Sequence, residues 1–227
     1  MSDRFPPVSP ATLTPEQKPI HDFLVDRILL HFQDTFTTRD KNGALVGLFT
    51  QFLYLPLSVV SGYAANYKAL GDISSFPLKC REIAILAVGE HFGASYELYS
   101  HCRVAKQAGL SDNQVRDILG GRLPSESTEQ EILSWEMARA LIGAGGVFKK
   151  GQLSDALWNR GEKAFGKEGL GALIHYIGFY AYTWKYDVFL AIWVRVRVRV
   201  RVRVRVIKIS EKLPYSLRNN DEQQESD

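Results

Sequence analysis

Helix-start signatures recur along this chain, and no stretch of its first 193 residues alternates as a strand does. Thr14-Pro15-Glu16-Gln17 combines a capping threonine, a proline at the first helical position and a glutamine three residues beyond the cap. Ser111-x-x-Gln114 and Thr128-x-x-Glu131 repeat the capping-box pattern. Ile20, Phe23, Leu24, Ile28, Leu29 and Phe32 recur near a 3.6 period and predict a helix over 16–33. A Gly-containing loop is expected at Lys41-Asn42-Gly43, then a helix over 57–71 ended by Gly71. Residues 80–108 read as two helices, or one broken near Phe92-Gly93, with Gly109 as a C-terminal cap. The helix begun at Thr128 runs to about 141 and is broken by the glycines of 143–146. Residues 154–165 and 170–192 read as the last two. The expected class is all-α, with an N-terminal arm (1–13), one helical domain (14–193) and an atypical extended C-terminal tail (194–227).

Charge excludes one function class. Residues 195–227 carry nine of the 28 basic and five of the 25 acidic residues. That leaves 19 basic against 20 acidic in 1–194, a net of −1, with no basic character to attract nucleic acid. The apolar stretch 170–194 contains His175, Lys185 and Asp187, which are costly at the centre of a bilayer, so it reads as a buried helix rather than a membrane span. Cys80 and Cys102 are the only cysteines, and the N-terminus has no basic-then-apolar leader, so a reducing, cytoplasmic location is expected.

Chemistry concentrates in one block. Glu97 and His101 are four residues apart, so on a helix they share a face, and Glu82 precedes an apolar run from which it can join them. A carboxylate and an imidazole so placed pass protons to and from a bound molecule. His101 is the natural donor near neutral pH, Glu97 can orient it, and Glu82 can act as a second acid or base. Tyr96 and Tyr99 flank Glu97 as candidate pocket walls, and Arg81 has the geometry to hold a substrate carboxylate. His91 is a further candidate for binding, although the structural role of a satisfied histidine competes with it. No spacing in the chain matches a metal-ligand set.

The block 81–111 resembles the carboxymuconolactone decarboxylase and alkylhydroperoxidase D-like superfamily, marked by a Glu, eleven residues, Cys-x-x-Cys-x-x-x-His and then Ala-x-x-x-Gly-Leu-Ser. Here the Glu is Glu82, the His is His101, the two Cys positions hold Ala94 and Glu97, and the block closes at Gly109-Leu110-Ser111. Weaker similarity extends over 5–187. The resemblance implies the helical fold of that superfamily, a homo-oligomer (trimer or hexamer) and, in the branch without the thiol pair, a carboxy-lyase. Such an enzyme takes a small carboxylated lactone or related enolisable acid and uses no metal and no organic cofactor. Without thiols at 94 and 97 a peroxidase cycle of the family's type is chemically absent. A non-catalytic oligomeric scaffold of the same fold is the alternative from a different class.

From Val194 to Val206 valine and arginine alternate strictly, the pattern of an amphipathic strand, yet no other strand in the chain offers it a partner. A simple hexanucleotide repeat encodes such a dipeptide, and 194–227 is read as translated non-coding sequence in place of the natural C-terminus. Residues 207–227 are polar and expected to be disordered.

Overall fold

The computed structural model describes residues 5–32, 35–144 and 152–210; for His31 and for 186–210 it describes backbone alone. Helices follow in the order α1 (Gln17–Arg27), α2 (Leu48–Phe52), α3 (Leu57–Gly71), α4 (Leu78–Phe92), α5 (Ser95–Gln107), α6 (Asp112–Leu119), α7 (Glu129–Leu141) and α8 (Asp155–Ser210). Among the described residues the only β pairing is an isolated bridge, Arg39 with Leu45, across the expected Lys41-Asn42-Gly43 turn. The all-α class therefore holds.

Local signals placed the helices well. Ser111 and Thr128 each form a full capping box, with Gln114 and Glu131 reaching back. The helix expected over 16–33 is shorter: α1 stops at Arg27 and a 3-10 turn, Leu29–Phe32, carries the apolar pattern on. α2 was not foreseen, because five residues, all of them buried, span too little of a helix for a 3.6 period to be read.

α4 is the central element. It packs against α5, α6, α7 and α8, and every residue from Glu82 to Gly89 is buried. A helix apolar on all sides belongs inside a protein, and Ile83-Ala84-Ile85-Leu86-Ala87-Val88 leaves no polar face to turn outward. Its crossing with α8 is close: a Cβ on Gly89 would lie 1.9 Å from Trp184 Cη2. Gly93, at φ +68, ends α4 in the left-handed region that glycine adopts without strain, and the chain turns back into α5.

Two apolar clusters result. The larger joins α4, α6, α7 and α8; the smaller gathers α1, α2 and the 35–47 loop around Leu24, Leu29, Leu45 and Phe49. α5 stands between them, giving Ala105 to the first and Tyr96 to the second.

One expectation is overturned. The Val-Arg repeat is not extended: α8 continues through it to Ser210, after a break at Gly166 (φ +66). Strict alternation describes side chains, but the backbone needs hydrogen-bond partners. With no second strand to pair, a helix satisfies them internally, and extending an existing helix avoids the cost of nucleating one. Of residues 207–227, expected to be disordered, 207–210 belong to α8, and 211–227 lie outside the described residues. Among the described residues no helix is long and apolar enough to cross a membrane.

Candidate active site

The α4–α5 hairpin brings the three predicted residues together. Glu82 lies eleven residues before Gly93 and His101 eight after it, so the antiparallel helices set them level. His101 Nδ1 lies 2.8 Å from Glu82 Oε2, and His101 Nε2 lies 3.6 Å from Glu97 Oε2. Arg81 Nε donates to Glu82 Oε1 at 3.0 Å. The side chains are 1% (Glu82), 5% (Glu97), 13% (His101) and 21% (Arg81) exposed, so the network is desolvated but reachable from solvent at His101 and Arg81.

Glu97 was the expected orienting group; of the two carboxylates it is Glu82 that lies within hydrogen-bond distance of the imidazole. Its carboxylate accepts from Nδ1–H, which leaves Nε2 as the ring nitrogen that takes up or gives away a proton. Nε2 then faces Glu97 at a distance beyond a hydrogen bond, the side on which a bound molecule can exchange a proton. A buried carboxylate needs partners, and Glu82 has two, Arg81 and His101. Burial works against the Arg81 charge, but Glu82 beside it, with Tyr176, raises the guanidinium above its ordinary range. Arg81 is thus committed to Glu82 through Nε, more closely than its expected role on a substrate carboxylate requires.

The other candidates lie elsewhere. Tyr96 donates to Thr37 O at 2.8 Å and packs edge-on against Phe36 and Phe49. The Tyr99 hydroxyl bonds Thr37, and the Arg103 guanidinium lies 3.8 Å over its ring. Both tyrosines tie the 35–47 loop to α5. Helical geometry explains it: at about 100° per residue Tyr99, two residues from both Glu97 and His101, points away from them. His91 is exposed near the end of α4, in ring contact with Phe92; nine residues from Glu82, it falls on the opposite face.

What the sequence did not reveal is the aromatic wall. Tyr176, Tyr180 and Trp184 form one stripe of α8, four residues apart and all buried. The Tyr180 ring stands edge-on to His101 with centroids 5.0 Å apart, and Trp184 lies 6.4 Å from it. From α3, the Tyr63 hydroxyl meets Thr183 Oγ1 at 3.2 Å, and burial, with the Glu97 charge next, pushes the Tyr63 phenol far up. The only hint in the sequence was the density of tyrosine and tryptophan after Tyr176, which is also what an ordinary buried helix shows. A surface cavity of about 440 Å3 between α3 and α8, lined by Asn66, Ile174, His175, Phe179 and Tyr182 among others, touches none of Glu82, Glu97 and His101. The chemistry, not the cavity, marks the site.

The thiols are inert by environment. Burial pushes Cys80 and Cys102 each up to about 11, so at neutral pH both are the unreactive thiol. Ala94 and Glu97 occupy the positions a redox pair would need. Cys102→Ala is expected to leave turnover within about twofold of wild type, and iodoacetamide to modify the native protein slowly. Rapid inactivation by alkylation at pH 7 contradicts this. Among the described residues no group of three or more His, Cys, Asp or Glu side chains is placed to hold a metal ion.

No family model matches the chain, and no curated protein matches it. Among solved structures, the debrominase Bmp8, as a cysteine-to-alanine variant in complex with 2,3,4-tribromopyrrole, superposes with a TM-score of 0.60 at 12% identity. The match covers 84% of this chain and 90% of that one. At that identity the likeness shows the fold, which is the alkylhydroperoxidase D-like helical fold.

Proposed function

We propose that this chain is a cofactor-independent acid–base enzyme that decarboxylates a small carboxylated lactone or a related enolisable acid, within the decarboxylase-like branch of the superfamily its signature resembles. One observation carries the reading: the buried Arg81–Glu82–His101–Glu97 network, with Nδ1 of the imidazole held by a carboxylate at 2.8 Å. A structural histidine has no need of two buried carboxylates, whereas a proton donor does: one orients the ring and the other lies beside the nitrogen that exchanges the proton. The fold neighbour lends general support, since a debrominase holds a small ring compound on a scaffold of this shape.

Loss of carbon dioxide from such an acid leaves a dienolate that must be protonated at carbon. His101 Nε2 is the donor, Glu82 keeps the ring in register, and Glu97 lies where it can relay the replacement proton. The test is proton NMR of 4-carboxymuconolactone with the full-length protein. Wild type is expected to form the enol-lactone, and His101→Gln to be slower by about 10²–10⁴-fold. No conversion by folded wild type rejects this substrate; equal conversion by His101→Gln rejects the role of the imidazole.

A further inference from the structure

We propose that the Val-Arg segment of α8 binds double-stranded DNA without regard to sequence, as a cationic helix lying in the major groove. The inference is independent of the acid–base reading above.

Residues 195–210 hold seven basic residues and no acidic one: Arg195, Arg197, Arg199, Arg201, Arg203, Arg205 and Lys208. Residues 1–194 carry a net charge of −1, so the positive charge of the chain is gathered beyond them. The chain carries that charge whatever encoded the repeat. The change from strand to helix decides what it fits. On a strand every second residue falls on one face, and the six arginines would form a single cationic ribbon. α8 is helical through Ser210, and at about 100° per residue the six positions divide. Positions 195, 199 and 203 fall within one arc of about 80°, and 197, 201 and 205 within another, centred about 160° away round the axis. The valine positions split likewise into two arcs of about 80° between them. A helix that lies in a membrane surface needs one broad apolar face, about 100° or wider, and two narrow opposed arcs do not supply it.

Two opposed cationic arcs match a groove with phosphates along both walls. The major groove of B-form DNA is about 12 Å wide and admits a helix about 10–12 Å across. Arginine positions recur about every 3 Å along the axis, close to the ~3.4 Å per charge of one DNA strand. Position 195 lies eleven residues beyond Trp184, the last buried residue described, or about 16 Å along the axis. Because the segment is already helical, binding does not have to meet the ordering cost of a disordered basic tail. Phosphate contacts of this kind position a protein on a duplex and carry no sequence information. The deep, narrow major groove of A-form RNA cannot be entered in the same way, so the duplex is DNA.

The test is fluorescence anisotropy of a labelled DNA duplex of about 20 base pairs with the full-length protein, at about 50–200 mM salt. Six neutralised phosphates give a slope of log affinity against log salt of about −5, a loss of about 10³-fold across that range. The triple variants Arg195→Gln/Arg199→Gln/Arg203→Gln and Arg197→Gln/Arg201→Gln/Arg205→Gln each remove one arc, and each is expected to halve the slope. Methylation of guanine N7 by dimethyl sulfate reports on the major groove and is expected to fall on binding. Wild type that does not bind, or a triple variant that keeps the wild-type slope, overturns the proposal. Bound DNA with unprotected N7 overturns the groove placement, as does equal or tighter binding of the same sequence as duplex RNA. Attachment to phosphatidylserine-containing vesicles without binding to DNA overturns it in favour of a membrane surface. The wild-type slope and N7 protection need no variant, so they decide the matter if a triple variant does not fold. Failure of the lactone assay leaves this test untouched, and failure here leaves the acid–base reading untouched.

Discussion

Glu82→Ala is expected to unfold this protein on the order of 10 °C below wild type and to abolish turnover. Glu82 is 1% exposed and bridges Arg81 and His101. Its removal leaves a guanidinium without its carboxylate in the first turn of the most buried helix, and breaking a buried pair costs about 3–5 kcal/mol. Arg81 retains 21% exposure, so the lower end, about 3 kcal/mol, is the expected loss, which for a domain of this size is about 6–12 °C in Tm. Glu82→Gln separates stability from chemistry. Glutamine fills the same space and still offers Arg81 an oxygen. Its amide N–H₂ then faces Nδ1, which must become the acceptor, and the ring proton moves to Nε2. The inverted tautomer and the lost charge are expected to lower turnover by about 10²–10⁴-fold while most of the stability survives. Thermal melts beside NMR turnover measure both. Wild-type turnover in Glu82→Gln would show that the imidazole is not oriented by this carboxylate.

Gly89→Ala is the second large effect, and it links packing to the site. Alanine is the better helix former by about 1 kcal/mol, so on propensity alone the change stabilises α4. The added methyl, however, would lie 1.9 to 2.5 Å from three carbons of the Trp184 ring. Trp184 is fully buried and abuts His101, so it has no open side to move into. Overpacking typically costs about 1–3 kcal/mol, and more where the neighbour cannot yield. Steric conflict therefore wins, with a net loss of about 2 kcal/mol and a displaced His101. Trp184→Phe, which withdraws the far ring atoms, is expected to be destabilising alone and to rescue Gly89→Ala. The signature is a double-mutant coupling of about 1–2 kcal/mol in denaturant unfolding. Additive effects of the two changes would mean that α4 and α8 do not meet at this point.

Capping boxes at Ser111 and Thr128 and the glycine break at Gly93 act over three or four residues, so they were legible without knowing the rest of the fold. Where local pattern misled, a longer-range demand overruled it. The alternating repeat after Val194 has the side-chain period of a strand but lacks a second strand, and its backbone takes the helix. Tyr96 and Tyr99 adjoin Glu97 in sequence but point to other faces of α5, which helical rotation alone decides. Glu82 and Glu97 were both named as partners of His101, but which of them holds Nδ1 follows from the antiparallel return of the chain.

By itself, then, the sequence determined the helical class, the positions of the main breaks, and the grouping of Glu82, Glu97 and His101, because each depends on neighbours within a turn or on one short hairpin. Tertiary structure decided the rest: Arg81 paired with Glu82, Trp184 seated on Gly89, and Tyr180 and Trp184 of α8 brought to His101 from tens of residues away in sequence. Those contacts arise from burying one helix against another, and the spacing of Tyr176, Tyr180 and Trp184 is the same for any helix that packs. Only the partner across the interface makes it a site.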